Sequence, residues 1–329
     1  MTTKEKFFYF IYLHRTGLTV FGISLLLLVW PLVETNPYNL GLTNLIAMYT
    51  MVVLGLNLFI GYAGQISLGH AAFFAIGAYG SAIGTATYGL PAWPMMIVVA
   101  LAAALVALLV GLPALKLSGH YLAMATLGFN IVIYTILVQW DTVTGGPSGL
   151  AGIPYLGIGS LVFDNEITFH YLAWTFAMLA LLLSLNLVRS GVGRGLAALA
   201  EDETAAAALG VDIRRAKIKV FVMSAVLASL AGSLFAHCYT FVSPDSFGIF
   251  VSVDFVIMVV VGGMGSIWGT LFGAALITML PEWIETLENF KDVVHGLILV
   301  LILLFLPQGL VTGIVDAVRT RIILGKKHA

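Results

Sequence analysis

Charge is scarce in this sequence. Only 9% of its 329 residues are Asp, Glu, Lys or Arg, while 60% are hydrophobic, and the mean hydropathy is +1.04. A soluble domain carries about 25% charged residues. A globule clothed in water is therefore excluded, and a chain solvated mostly by lipid is implied. Cysteine is nearly absent: the lone Cys238 excludes an intrachain disulfide and any cysteine-based metal cluster. Reactive motifs are missing too. No G-x-x-x-x-G-K-[ST] occurs, and Gly325-Lys326-Lys327 has nothing else a phosphate loop needs. There is no H-E-x-x-H and no G-x-S-x-G, and no spacing or oxyanion motif makes Ser266 and His295 a hydrolytic pair. No catalytic residue, bound metal or cofactor, or nucleic-acid partner is expected.

Ion-coupling groups are equally sparse. A proton- or sodium-coupled carrier buries ionisable side chains along its path. Within the apolar stretches only His70 and Asp254 qualify. His70, beside Gly69 and two alanines, reads as a packed, hydrogen-bonded histidine. Asp254 reads as an N-terminal helix cap or an interface residue near the outer surface. Energy is expected to come from outside the chain.

What the sequence has is long charge-free windows. They imply an all-α membrane protein: a polytopic bundle of about ten transmembrane segments with short or broken helices. A span needs about 20 residues. A single membrane domain over 1–329 is expected, with a retained first span at 18–33 and three spans in 35–115. Residues 117–140, 167–188 and 220–244 each supply one more, and 293–315 the last. The 35–115 window breaks near Gly61–Gly64 and near Gly89-Leu-Pro-Ala-Trp-Pro94. In 251–281, Gly262-Gly-Met-Gly265 leaves two short arms, which suggests a broken-helix hairpin; such backbone is tolerated only where protein or a water-filled cavity satisfies it.

Orientation follows from the basic residues. With both termini inside, every Lys and Arg except Lys291 falls on the cytoplasmic side, and most of the 16 acidic residues fall outside. A candidate internal two-fold repeat pairs Gly64-Gln-Ile-Ser67, with Phe73 and Ala75, with Gly263-Met-Gly-Ser266, with Phe272 and Ala274. Paired Gly-interrupted segments mark the substrate path in many transporters, although Gly, Ala and Ser are common in any membrane helix. Asn57, Gln65, Ser67, His70 and Ser266 are the candidate path-lining residues, with interhelical hydrogen bonding as the alternative role for each.

The longest inside loop, 189–219, carries Leu196-Ala-Ala-Leu-Ala-Glu-Asp-Glu-Thr-Ala-Ala-Ala-Ala-Leu-Gly210. Alanine favours helix and Gly210 is placed to end one. A short surface helix with a compact alanine face suits insertion into a partner's groove. Glu201, Asp202, Glu203, Ala206, Gly210 and Arg214 are the candidate residues for coupling to an energy source.

Several motifs resemble one family. They are Gly61-Tyr-Ala-Gly-Gln-Ile-Ser-Leu-Gly-His-Ala-Ala-Phe-Phe-Ala-Ile-Gly-Ala-Tyr79, Tyr121-Leu-Ala-Met-Ala-Thr-Leu-Gly-Phe129, Thr144-Gly-Gly-Pro-Ser-Gly-Leu150, the 203–210 loop, and Val261-Gly-Gly-Met-Gly-Ser-Ile-Trp-Gly269. In that order they resemble the permease subunits of branched-chain amino acid ABC importers, in particular the M-type subunit. The resemblance implies a bacterial inner-membrane importer with a second, H-type permease, two cytoplasmic ATP-binding subunits that hold ATP and magnesium, and a periplasmic solute-binding protein. It also implies that the 203–210 helix docks on an ATPase. The family's acid-Ala-Ala-Gly pattern is matched loosely, since Glu203 lies well before Gly210 with four alanines between. A secondary carrier or channel, and an ABC permease for urea or short amides, are the alternative readings.

Overall fold

The computed structural model describes residues 19–159, 161–283 and 296. Its first helix, α1, is Thr19–Val33. Asn36 accepts a hydrogen bond from the Tyr38 amide and Pro37 takes the first helical position, so α2 starts at Pro37–Asn57 and runs into a π-turn at Leu58–Tyr62. Then come α3 (His70–Ala82, ending in a π-turn at Ile83–Thr87), α4 (Ala92–Ala114), α5 (His120–Gln139) and the single turn α6 (Asp141–Thr144). The chain continues through α7 (Glu166–Arg189), α8 (Gly191–Glu201), α9 (Glu203–Ala208), α10 (Ile213–Tyr239), α11 (Ile249–Gly262) and α12 (Ile267–Trp283). Four two-residue strands tie loops together. β1 (Leu150–Ala151) pairs antiparallel with β4 (Phe241–Val242), and β2 (Gly157–Ile158) with β3 (Leu161–Val162).

Six helices among the described residues are long and apolar enough to cross a membrane: Pro37–Tyr62, Ala92–Ala114, His120–Gln139, Glu166–Arg189, Ile213–Tyr239 and Pro244–Gly262. Thr19–Val33 and Ile267–Glu282 are shorter apolar helices. The chain is a polytopic helical membrane protein. The expected last span, 293–315, lies outside the described residues apart from position 296, as does the start of the first.

Three boundaries differ from the charge map, each for a local reason. Helix α10 begins inside the expected loop, because Asp212 caps it by accepting from the Arg215 amide. Arg214, Arg215, Lys217 and Lys219 are therefore helical: charge excludes a residue from lipid, not from a helix. The expected single helix over 196–210 is two helices, because Asp202 takes an extended backbone (φ −156°, ψ 115°) and caps α9. Asp254 is not an N-terminal cap. Gly248 holds that place, and Asp254 lies inside α11.

The core is built around α2, α3 and α10. The central window of α2 is 78% buried, whereas that of α5 is 22% buried, so α5 is peripheral. Helices α3 and α10 approach until backbone meets backbone. A Cβ on Gly77 would lie 2.0 Å from the Ser229 carbonyl oxygen, and one on Gly232 would lie 1.9 Å from that of Phe74. In lipid, such close packing of small residues supplies the van der Waals contact that holds helices together. The hairpin α11–α12 uses the same device, with Gly262, Gly269 and Gly273 facing opposing backbone.

The contacts define two ends of the bundle. At one, the Trp93 indole donates to the Gly157 carbonyl (2.7 Å), β1 pairs with β4, and the Tyr38 hydroxyl meets the Glu282 carboxylate. At the other, the α2–α3 connection lies against α8 and the root of α10. The α11–α12 turn also reaches the α2–α3 connection, since a Cβ on Gly61 would lie 2.2 Å from the Gly265 nitrogen. Both outer ends of that hairpin are therefore on the first side.

Candidate functional site

The broken connection between α2 and α3 is where polar groups converge. Gly64 (φ 65°) turns the chain, and the Gly64 and Gln65 amides bond back to the carbonyls of Ile60 and Phe59. The first amides of α3 have no intrahelical partner, and side chains supply them. Thr126 of α5 accepts from the Leu68 amide (2.9 Å), Ser67 from that of Gly69 (3.3 Å), and Ser252 of α11 from that of Ala71 (3.1 Å). Two other helices, α5 and α11, thus meet the start of α3.

His70 is fully enclosed among Phe59, Phe73 and Phe221. Its hydrogen bonds determine its tautomer. The Ser224 hydroxyl donates to the Phe221 carbonyl (2.8 Å), so His70 Nε2–H donates to Ser224 Oγ (3.0 Å). His70 Nδ1 then accepts from the Ser67 hydroxyl (3.2 Å), whose oxygen is free to accept from the Gly69 amide. No carboxylate enters this network. His70 is a packed, hydrogen-bonded histidine.

Asn57 joins the two breaks. Its Nδ2 donates to the Ser266 carbonyl (2.9 Å), and its Oδ1 accepts from the Gly265 amide (3.0 Å). Both bonds satisfy backbone that the α11–α12 turn leaves open. Ser266 itself is half-buried and accepts from the Gly269 amide at the start of α12 (3.1 Å).

Gln65 reaches toward the basic end. Its Nε2 donates to the Ala63 carbonyl (3.2 Å) and to Glu203 Oε1 (3.2 Å). Lys217 Nζ donates to the same oxygen at 2.5 Å. Here a candidate path residue and a candidate coupling residue meet on one carboxylate oxygen. The remaining coupling candidates separate. Glu201 is exposed at the end of α8, Ala206 is buried, Gly210 (φ 86°) turns the chain after α9, and Arg214 is exposed on α10. Leu209 is 81% exposed beside the outward Thr204, Ala205, Ala207 and Ala208, so α9 presents a small apolar knob.

Asp202 accepts from the Thr204 amide (2.7 Å) and the Ala205 amide (3.0 Å). Those backbone donors, Ala205 first, hold its carboxyl below the usual carboxylate range. The contribution of this cap is present above the ordinary carboxylate pKa and is lost as pH falls through the lowered one. Asp202→Ala is expected to raise hydrogen exchange of the 205–209 amides several-fold at neutral pH, while Asp202→Asn leaves it near wild type. Unchanged exchange in the alanine variant would show that α9 does not depend on this cap.

No group of three or more His, Cys, Asp or Glu able to hold a metal ion occurs among the described residues. Residues 38–304 match the family model described as branched-chain amino acid transport system / permease component. The chain belongs to this family. The permease is 34% identical over 316 residues (88% of this chain, 74% of the relative) to the high-affinity branched-chain amino acid transport system permease protein LivM of Escherichia coli strain K12. It is 32% identical over 332 residues (94% and 75%) to LivM of Salmonella typhimurium. It is 26% identical over 294 residues (84% and 93%) to the LivH permease of the same Escherichia coli strain. No solved structure matches the chain.

Within this permease, sequence reasoning missed Thr126, Ser224, Ser252 and Lys217. Ser224 and Ser252 lie in apolar helices with no local motif to mark them, and Thr126, though inside the Tyr121–Phe129 motif, was given no role of its own. Lys217 stood among five nearby charges as one of a solvated cluster, yet its side chain is only 5% exposed.

Proposed function

We propose that this chain is the transmembrane permease subunit of an ATP-binding-cassette importer that moves branched-chain amino acids from periplasm to cytoplasm. Its partners in this reading are a second, H-type permease, two cytoplasmic ATP-binding subunits that hold ATP and magnesium, and a periplasmic binding protein. The family and the printed names of the relatives support the cargo. Orientation rests on charge. Lys116, Arg189, Arg194, Arg214, Arg215, Lys217 and Lys219 cluster at the α8–α9 end, and Glu34, Asp141, Asp164, Asp245 and Glu282 at the opposite end. The basic end is taken as cytoplasmic and the 141–166 and 240–248 loops as outside; we take both termini as cytoplasmic too, on the charge pattern of the sequence and the expected last span over 293–315.

The observation that carries the mechanism is the shared oxygen of Glu203. Helix α9 offers its apolar knob to an ATPase groove. Glu203 at its first turn holds both Lys217, at the root of the most buried long helix pair, and Gln65, in the break between α2 and α3. Movement of α9 on ATP binding is thereby passed to two membrane elements at once. Asn57 passes it on to the second break, and we take the two breaks as corresponding parts of a repeat.

In vesicles holding the full complex, leucine uptake is expected to require both internal ATP and loaded binding protein. Uptake that persists without ATP and follows a proton gradient or the membrane potential would favour a secondary carrier or channel and sink this reading.

A further inference from the structure

Among the described residues, one buried amide side chain has no partner for either of its polar atoms. Asn130 of α5 is fully enclosed, and neither its Nδ2 nor its Oδ1 makes a hydrogen bond. Buried amides nearly always find partners, and a polar group kept in a membrane interior usually serves a function. Its position is informative. Thr126, Asn130 and Tyr134 are spaced by four residues and so share one face of α5, each step rising about 6 Å. Thr126 binds the α3 start at the basic side (2.9 Å to the Leu68 amide), and the Tyr134 hydroxyl donates to Asp245 at the loop side (3.3 Å). Asn130 is therefore midway between the two ends, the depth at which transporters place their substrate sites. The two flanking groups have partners and the central one has none.

Helix α5 is also weakly held. Only Leu122, Thr126, Asn130 and Leu137 are buried along it, and its contacts with α3 and α11 are few compared with those inside the core. Parting it from α3 and α11 breaks the Thr126 and Tyr134 bonds, the Phe129–Phe73 ring contact and the close approach of Gly69 to the Thr126 carbonyl, and little of the main core. Such a parting opens the Asn130 face to the interior of the assembled permease.

We propose that Asn130 is a substrate-binding residue on the translocation path, taking the zwitterionic head group of an α-amino acid. A primary amide sets two N–H donors beside a carbonyl acceptor. Nδ2 suits the α-carboxylate and Oδ1 the α-ammonium, without placing a fixed charge in the membrane that would trap either. A path that must release its cargo needs binding of this modest, uncharged kind. This inference rests on the amino acid importer reading above.

The test is Asn130→Leu, a change close in volume that removes both unpartnered atoms. Reconstituted with its partners, the variant complex is expected to melt at or above the wild-type temperature, because no hydrogen bond is lost. Its leucine uptake is expected to fall by about tenfold or more. Millimolar leucine is expected to raise the melting temperature of the wild-type permease in detergent without binding protein, but not that of Asn130→Leu. Asn130→Gln is expected to recover part of both signals. Uptake by Asn130→Leu within twofold of wild type would overturn the proposal. So would uptake and melting temperature falling together in both variants, since the amide would then only hold the fold. A wild-type complex that fails to transport leucine at all would instead overturn the importer reading.

Discussion

Replacing Gly232 with valine is expected to prevent recovery of folded protein, and Gly77→Val is expected to do the same. Each Cβ would fall about 2 Å from a carbonyl oxygen of the facing helix, well inside any tolerated contact. The obstruction is backbone, so no rotamer change relieves it. Helices α3 and α10 must part along their length, and several bonds depend on their approach. His70 to Ser224 is one, Ser81 to His237 (2.9 Å) another, and Ser233 to the Gly77 carbonyl (3.1 Å) a third. Overpacking alone costs about 1–3 kcal/mol, and each stranded polar group adds about 1–3 kcal/mol. Together these approach the whole stability of many domains. Gly22→Ala is the control, because nothing lies within 4 Å of its added Cβ. Fluorescence-detected size exclusion of tagged protein reads the result. A monodisperse Gly232→Val peak at wild-type level would show that the close approach is dispensable.

The second large effect is expected at Glu203 and Lys217. The ammonium is 5% exposed and the carboxylate 44% exposed, so this pair is neither a surface bridge nor a fully buried one. Removing the carboxylate strands a nearly enclosed cation at the root of α10. The cost is expected between the limits for surface and buried pairs, roughly 1–3 kcal/mol. Removing the ammonium is expected to cost less, since Glu203 keeps Gln65 and water. A double-mutant cycle with Glu203→Gln and Lys217→Met separates the pair from its surroundings. The expected coupling is about 0.5–3 kcal/mol in melting free energy. In the assembled transporter, Glu203→Ala is expected to leave ATP hydrolysis measurable while leucine uptake falls steeply, because α9 no longer grips the membrane elements. Additive single effects, or uptake that follows ATP hydrolysis in proportion, would remove Glu203 from the coupling route.

Much of this protein was legible before any coordinates. Scarce charge and long apolar windows are whole-chain properties, and lipid imposes them on any span, so a polytopic helical protein followed from composition. The glycine clusters at 61–64 and 262–265 marked real breaks, because positive φ at Gly64, Gly263 and Gly265 is a local demand that the residue type reveals. Helix starts inside the charged loop were harder to read. Asp202 and Asp212 are ordinary acidic residues until their oxygens are seen on backbone amides. Counting charges treated them as solvated surface.

The partners were decided by tertiary structure alone. Gln65 and Glu203 lie 138 residues apart, and Asn57 and the Ser266 carbonyl 209 apart. No spacing rule reaches across such distances, because they close only when α2, α10 and α11 are packed. The same holds for Asn130: an asparagine in an apolar helix is visible in the sequence, but its lack of any partner is a property of the packed interior. Composition and periodicity determine what the chain dissolves in and where it turns. Packing determines which polar group meets which, since a buried hydrogen bond depends on distances of tenths of an ångström between elements remote in sequence.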